Sequence, residues 1–148
     1  MEEPQLHFRI NSIHVLEFSQ REPDQPIELG ENHEMHIGMR VQTDKAQNLI
    51  RIILEVTEAT SPALFKIKTA ISFQFKEGEL FDDDAEVVIS EFVLNLLASI
   101  TYSTTRGVLF AKMGFSPLVS LIMPLIDIRE ITRQIKPIGQ VESNDAND

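Results

Sequence analysis

The fold predicted for this chain depends on residues 85–113, which read AEVVISEFVLNLLASITYSTTRGVLFAKM. This segment contains no proline, and its length corresponds to about eight turns of α-helix. Three aspartates at residues 82–84 come just before it, and carboxylates there cap free N–H groups and interact favourably with the helix dipole. We therefore predict one long helix over about residues 85–113, which Gly114 ends.

The apolar residues of this helix cover most of its circumference, whereas an ordinary surface helix shows one apolar stripe. They are Val87, Val88, Ile89, Phe92, Val93, Leu94, Leu96, Leu97, Ile100, Val108, Leu109 and Phe110. A sheet covers only one side of a helix, so a second subunit is the economical cover for the other side. We expect an oligomer interface that contains Phe92, Leu96, Ile100 and Tyr102. Alternatively, the segments after Gly114 fold back over the helix.

Four segments ahead of the helix alternate apolar and polar residues, the pattern of half-buried strands. They cover about residues 6–20, 35–42, 49–58 and 65–76. The short connections between successive strands favour antiparallel pairing. In the first strand the alternation slips at Ser12, which predicts a β-bulge and apolar residues on both faces towards its C-terminal end.

The C-terminal part of the chain predicts a short helix that Asp127 caps and that runs through Ile135. The predicted fold class is therefore α+β, with a four-stranded antiparallel sheet followed by one long helix and a short C-terminal helix. We expect residues 1–139 to form a single domain and residues 140–148 to form an acidic, disordered tail.

The composition excludes several classes of function. The 148 residues include no cysteine, so disulfides and thiolate metal sites are ruled out. Lys and Arg number 13 against 23 Asp and Glu, and the net charge of −10 disfavours nucleic acids and anionic membranes as partners. The N-terminus lacks the pattern of a signal peptide, so we expect a soluble, cytoplasmic protein.

The sequence also shows no motif for catalysis or metal binding. The four histidines lack metal-ligand spacing, and His33 and His36 would point to opposite faces of a strand. The hydroxyls of residues 103–105 have no neighbouring histidine as a base, and there is no glycine-rich phosphate loop. We therefore expect no catalytic residue, no metal and no cofactor, and a binding protein rather than an enzyme.

Several features follow one another in a recognisable order. A strand ends in IHVLEF at residues 13–18, a proline-rich crossover follows, and the long helix contains Arg106-Gly107. An apolar stretch around Pro124 then precedes the short helix and the acidic tail. In this order and pattern the chain resembles the SecB family of bacterial export chaperones over about residues 8–135.

The resemblance implies a chaperone that binds unfolded or pre-secretory polypeptides without ATP and keeps them competent for export. SecB-like proteins are tetramers built as dimers of dimers, so it implies a dimer or a dimer of dimers here. Their clients lie in hydrophobic grooves lined by the crossover loop, the sheet and the region around the C-terminal helix. By this resemblance the candidate groove residues are Phe18, Ile27, Leu29, Phe115, Leu118, Leu121 and Ile122.

The family also docks on the SecA translocation motor through an acidic sheet surface and through its tail. Glu17 matches an acidic docking residue of the family, whereas Arg21 and Lys66 stand where further acids are expected. Two alternatives to the export role therefore stay open. One is a SecB-like chaperone dedicated to an antitoxin in a toxin–antitoxin system, and the other is a structural or regulatory oligomer that binds no client.

Overall fold

The computed structural model describes residues 7–25, 34–81, 87, 89–114 and 126–133. Its strands are β1 (Phe8–Gln20), β2 (Met35–Asp44), β3 (Leu49–Glu58) and β4 (Phe65–Phe75), and its helices are α1 (Glu91–Met113) and α2 (Ile128–Thr132). The strands form an antiparallel sheet in the order β1-β4-β3-β2. The predicted arrangement of four antiparallel strands, a long helix and a short helix is confirmed.

One face of the sheet carries the hydrophobic core, and we call it the helix face. There α1 packs on β3 and β4, and α2 packs on α1 and β2. The alternating β3 residues that their spacing predicts to be inside are fully buried on this face: Ile50, Ile52, Leu54 and Val56. Burying each such side chain contributes about 1.5–3 kcal/mol. In the part of the chain that the structure describes, no helix packs on the opposite side, the outer face.

Two β-bulges shape β1. Ile10 pairs with Phe73 and Ser12 with Ser72, so Asn11 is an extra residue, and Leu16 is a second extra residue between the pairs Val15–Thr69 and Glu17–Lys68. Each extra residue reverses the alternation of the side chains that follow it. Residues directly paired across antiparallel strands share a face, and the apolar residues paired with helix-face positions of β4 are Phe8, Ile10, Ile13, Val15 and Phe18.

The expectation that β1 is apolar on both faces near its end is therefore wrong. The bulge predicted near Ser12 is present, but the second bulge at Leu16 returns Phe18 to the helix face. Ile13, Val15 and Phe18 thus lie on one side of the strand, because each of the two bulges reverses the alternation of the side chains that follow it.

The start of the long helix is also corrected. α1 begins at Glu91 rather than near residue 85, and its cap is Ser90, whose hydroxyl accepts a hydrogen bond from the Val93 N–H at 3.2 Å. Val87 forms an antiparallel bridge with Phe81 and is therefore not part of α1. The β-branched run at residues 87–89 suits an extended chain better than the first helical turn. Residues 82–86, with the three aspartates, lie outside the described residues.

The end of α1 and the start of α2 agree with their local signals, whereas α2 ends at Thr132 rather than at the predicted Ile135. Gly114 has a φ of 53°, and its N–H donates to the Phe110 carbonyl, which ends α1 where the glycine predicts. The Asp127 carboxylate accepts from the Arg129 N–H at 3.0 Å and caps α2, as expected. Residues 134–148, with the predicted tail, lie outside the described residues. Neither described helix is long and apolar enough to cross a membrane.

A buried carboxylate holds the connection between β3 and β4. Glu58 is 2% exposed, and its Oε1 accepts hydrogen bonds from the N–H groups of Thr60 and Leu64, each at 3.0 Å. Its Oε2 accepts from the Thr60 hydroxyl at 2.6 Å. Arg21 directly follows β1, and its guanidinium donates a hydrogen bond to the Pro62 carbonyl at 2.7 Å. Two charged side chains therefore fix a turn whose backbone groups are otherwise partly unpaired.

Replacing Glu58 with alanine should lower the free energy of unfolding by about 3 kcal/mol, because three donors lose a charged acceptor in a buried place. Urea denaturation measures this as a lower midpoint at an unchanged slope. The matched control, Glu77→Ala, removes the same charge from an exposed turn and should change stability by less than about 0.5 kcal/mol. Equal effects of the two substitutions would show that net charge, not the buried contact, is responsible.

Candidate functional site

An apolar patch on β1 is left uncovered. Ile10, Ile13 and Val15 belong to the helix face of the sheet, yet they are 44%, 46% and 38% exposed. Among the described elements, the backbone of β1 neighbours that of β4 and of no other strand or helix, although the Phe18 side chain reaches α1 at Lys112. We call these three residues the strand surface. Leu16, exposed at the second bulge, lies next to it along the strand.

A second apolar patch lies on α1. Phe92, Leu96 and Phe110 are 76%, 40% and 57% exposed, and we call them the helix surface. Helical spacing places them opposite the buried stripe that faces the sheet, which consists of Val93, Leu97, Thr101, Thr105, Leu109 and Met113. Three small residues, Ser99, Ser103 and Gly107, share the outward side between Leu96 and Phe110.

Buried hydroxyl groups fix how α1 is rotated on the sheet. The Thr69 and Thr105 hydroxyls lie 2.8 Å apart, and the Thr105 hydroxyl also donates to the Thr101 carbonyl at 2.8 Å. On the other flank the Thr132 hydroxyl of α2 donates to the Asn95 side chain at 2.6 Å. Because both contacts orient α1, the helix surface is directed away from the subunit's own core.

Phe18 marks the boundary between β1 and the C-terminal end of α1. Its ring is partly buried against the core cluster around Leu54 and Met113. The Lys112 ammonium lies 5.2 Å from the ring centroid, within the range of a cation–π interaction. Phe18 thus links the end of β1 to the core, and Lys112 places a polar group over its ring.

The four residues expected at the oligomer interface differ in their exposure. Phe92 and Leu96 belong to the exposed helix surface. Ile100 is partly buried and packs against the core. Tyr102 lies inside the core at 5% exposure, where burial raises the pKa of its hydroxyl, so it offers little area to a partner.

Of the residues expected in the client groove, the structure describes one, Phe18. The others lie outside the described residues: Ile27, Leu29, Phe115, Leu118, Leu121 and Ile122. The strand surface and Phe110 were not among the residues expected from the sequence. The sequence does carry a signal for the strand surface. In β1 the apolar residues continue past two positions at which the alternation of apolar and polar residues breaks.

Glu17, the residue expected to dock on SecA, belongs to a three-residue ion-pair group on the outer face. The Lys66 ammonium lies 3.5 Å from Glu17 and 3.2 Å from Glu55. The hydrogen bond with Glu55, and then the Glu17 charge, raise the pKa of Lys66 above its usual value. Lys66 therefore compensates part of the negative charge that a basic partner would need at Glu17.

Comparison with protein-family models and with curated proteins finds no match. Among solved structures, the chain is similar to the SecB-like chaperone Rv1957 of Mycobacterium tuberculosis, solved in complex with a ChAD peptide from the Rv1956 HigA1 antitoxin. The similarity covers 80% of this chain and 90% of that chain, with 18% sequence identity and a TM-score of 0.48.

The exposure of the strand surface leads to a prediction about dye binding. The double substitution Ile13→Ser/Val15→Ser should weaken the binding of an apolar fluorescent dye. It should lower the free energy of unfolding by only about 1–3 kcal/mol, because each side chain is just over half buried. Dye titration and urea denaturation measure the two effects. A large loss of stability with unchanged dye binding would show that these residues belong to the core.

The control for this experiment is Gln20→Ser, which changes an exposed polar residue on the same strand. It should leave both the dye titration and the denaturation midpoint unchanged.

Proposed function

We propose that this protein is an ATP-independent chaperone that binds non-native polypeptides in the cytoplasm. The observation that carries the proposal is the strand surface, where three apolar side chains of an edge strand face the same way and no described element covers them. A monomer that only had to fold would have no need to keep Ile13 and Val15 on the same face as Ile10 through the bulge at Asn11.

The chemistry of this surface suits clients of varied sequence. Apolar burial is non-directional and contributes about 25 cal/mol per Å². An edge strand adds unpaired backbone N–H and C=O groups, to which any extended peptide can pair. The net charge of −10 keeps a protein with exposed apolar area soluble.

The resemblance extends the proposed groove beyond the strand surface. It adds Phe18 at the border with α1, and it adds Ile27, Leu29, Phe115, Leu118, Leu121 and Ile122. A single domain over residues 1–139 would then supply the whole groove from one subunit. Residues 140–148 would form the acidic tail.

We also propose that α1 mediates oligomerisation through the helix surface. Exposed Phe92 and Leu96 at one end and Phe110 at the other flank a stretch of small residues, which lets two copies of α1 approach closely. A glycine inside a helix costs about 0.5–1 kcal/mol relative to alanine. Among the described residues nothing lies within 4 Å of a Cβ built at Gly107, so packing within the subunit does not require this glycine.

For the client, the outer face favours a dedicated partner over the SecA-linked export role. The single positive charge of Lys66 compensates part of the negative charge of Glu17 and Glu55, and Arg21, which stands where a further acid is expected, donates to the Pro62 carbonyl. These residues weaken the acidic chemistry that SecA docking needs. An antitoxin of a toxin–antitoxin system is the client class that we propose first, and pre-secretory proteins are the second.

The chaperone proposal predicts that the protein, at substoichiometric amounts and without ATP, suppresses aggregation of a chemically denatured test protein on dilution. Ile13→Asp/Val15→Asp should abolish most of this suppression, because two carboxylates in the strand surface oppose burial of apolar client segments. Light scattering against time measures the effect. Suppression that is absent in the wild type, with normal assembly, would favour a structural oligomer without clients.

Ile27→Asp and Leu29→Asp test the part of the groove that the resemblance adds. Both should weaken suppression while the mass of the assembly stays unchanged. Unfolding of both variants would place these residues in the core instead.

The assembly proposal predicts that Phe92→Ser/Phe110→Ser lowers the mass in solution towards that of a single chain, 16.8 kDa. Removing two exposed phenylalanines from a self-complementary interface removes four rings from a dimer, which is enough to weaken a modest interface severely. Light scattering coupled to size exclusion measures the mass. The strand-surface variant Ile13→Ser/Val15→Ser is the matched control and should keep the wild-type mass, and a wild-type monomer would contradict the proposal.

A further inference from the structure

The outer face of the sheet is basic, although the chain as a whole is strongly acidic. Register places five basic residues on this face: Arg9, Arg40, Arg51, Lys66 and Lys68. Three acids share it, namely Glu17, Glu55 and Asp44. Glu17 and Glu55 are both paired with Lys66. The half of the face away from that pair group therefore carries a net positive charge.

Arg51 stands in the middle of this basic half. It pairs with Ser72 on β4 and with Gln42 on β2, and Ser72 pairs in turn with Ser12 on β1. These four residues form a row across the sheet, in which the Arg51 guanidinium lies between the two serine hydroxyls on one side and the Gln42 amide on the other. His14 and Arg40 belong to the next row.

A hollow lies over this row and beside the β2–β3 turn. Its lining residues are Ser12, His14, Gln42, Thr43, Asp44, Lys45, Ala46, Leu49, Arg51 and Ser72. Asp44 is the one acid among them, and its Oδ1 accepts from the Gln47 N–H at 3.3 Å. Most of the lining therefore consists of cationic groups and neutral groups that can donate hydrogen bonds.

The basic side chains differ in whether their charge is compensated. Lys66 has two carboxylates within 4 Å, and the Arg9 guanidinium donates to the Gln74 side chain at 2.8 Å. Arg40 and Arg51 form no ion pair with any acid of the described ranges. A guanidinium without a carboxylate, next to hydroxyl and amide groups, is suited to receive a carboxylate from outside in bidentate fashion.

We propose that the outer face binds an acidic polypeptide segment of a partner protein, and that Arg51 receives one of its carboxylates. Four strands about 4.8 Å apart give this face a width of about 15 Å between the edge strands, which accommodates a segment of about four to five extended residues. Arg40 and Lys45 flank the path of such a segment. This binding is independent of the apolar surfaces on the opposite side of the sheet.

Single-stranded nucleic acid fits this face less well than an acidic peptide does. The residues that register places on the outer face include no phenylalanine, tyrosine or tryptophan for bases to stack on. The net charge of −10 also repels a long, uniformly charged polyanion more than it repels a short peptide with spaced carboxylates.

The test uses the full chain and a short labelled peptide in which glutamate alternates with serine. Its counterpart with glutamine in place of glutamate is the uncharged control. Fluorescence anisotropy at low ionic strength should show binding of the glutamate peptide only, weakening as salt is added. Arg51→Gln should weaken binding about tenfold, the value of one charge-assisted hydrogen-bonded contact. Arg40→Gln provides a second variant with an effect in the same direction.

The matched control is Arg133→Gln, which removes the same charge at the end of α2, and it should change the affinity less than about twofold. Absence of binding, or equal weakening by Arg51→Gln and Arg133→Gln, would overturn the proposal. Tighter binding of an oligothymidylate with the same dependence on Arg51 would overturn it in favour of nucleic acid. A severalfold gain in peptide affinity on removal of residues 140–148 would assign the face to the chain's own tail.

The aggregation assay separates this proposal from the chaperone proposal. Arg51→Gln should suppress aggregation as well as the wild type does, because Arg51 lies on the face opposite the strand surface. Loss of suppression in a folded Arg51→Gln variant would contradict the independence of the two faces.

Discussion

A width mismatch between one helix and a four-stranded sheet is the constraint on which the rest of this structure depends. An α-helix with its side chains is about 10 Å across, whereas four strands span about 15 Å between the axes of the edge strands. α1 lies over the two central strands, and α2 covers part of β2. β1 is left as an edge strand whose helix face is exposed at Ile10, Ile13 and Val15 and meets α1 only near its end, at Phe18. An exposed apolar surface follows from this geometry whenever β1 keeps apolar residues on that face.

The two bulges show that β1 does keep them there. Asn11 and Leu16 each add one residue that β4 does not match, and Ile13, Val15 and Phe18 consequently stay on the same side as Ile10. On the same side of the sheet, α1 is oriented by the Thr69–Thr105 contact, which directs Phe92 and Phe110 outwards. The subunit thus has two separate apolar surfaces, and we propose that the strand surface binds client segments and that the helix surface binds another copy of α1.

The two faces of the sheet also differ in chemistry, because apolar residues lie on one face and most of the charged residues lie on the other. The helix face is apolar and borders the proposed groove, whereas the outer face concentrates basic residues in a chain with 23 acids. Because a sheet places alternate residues on opposite faces, one strand can serve both chemistries without conflict. In β1, for example, Ile13 belongs to the strand surface and His14 to the hollow on the outer face. Two partners of different chemistry could therefore occupy one subunit at the same time.

Local signals in the sequence determined the elements themselves. Alternation over residues 49–58 and 65–76 predicted β3 and β4 closely, Gly114 predicted the end of α1, and Asp127 predicted the start of α2, because each signal acts on neighbouring residues.

Tertiary structure decided where α1 begins, how the turn after β3 is held and which apolar residues stay exposed. Val87, which the sequence predicted to be helical, instead forms a bridge with Phe81, and the helix begins only after its cap Ser90. The contacts of Glu58 with Leu64 depend on the turn that they stabilise. Which apolar residues stay exposed depends on where α1 lies on the sheet, and that placement results from packing between segments far apart in the chain.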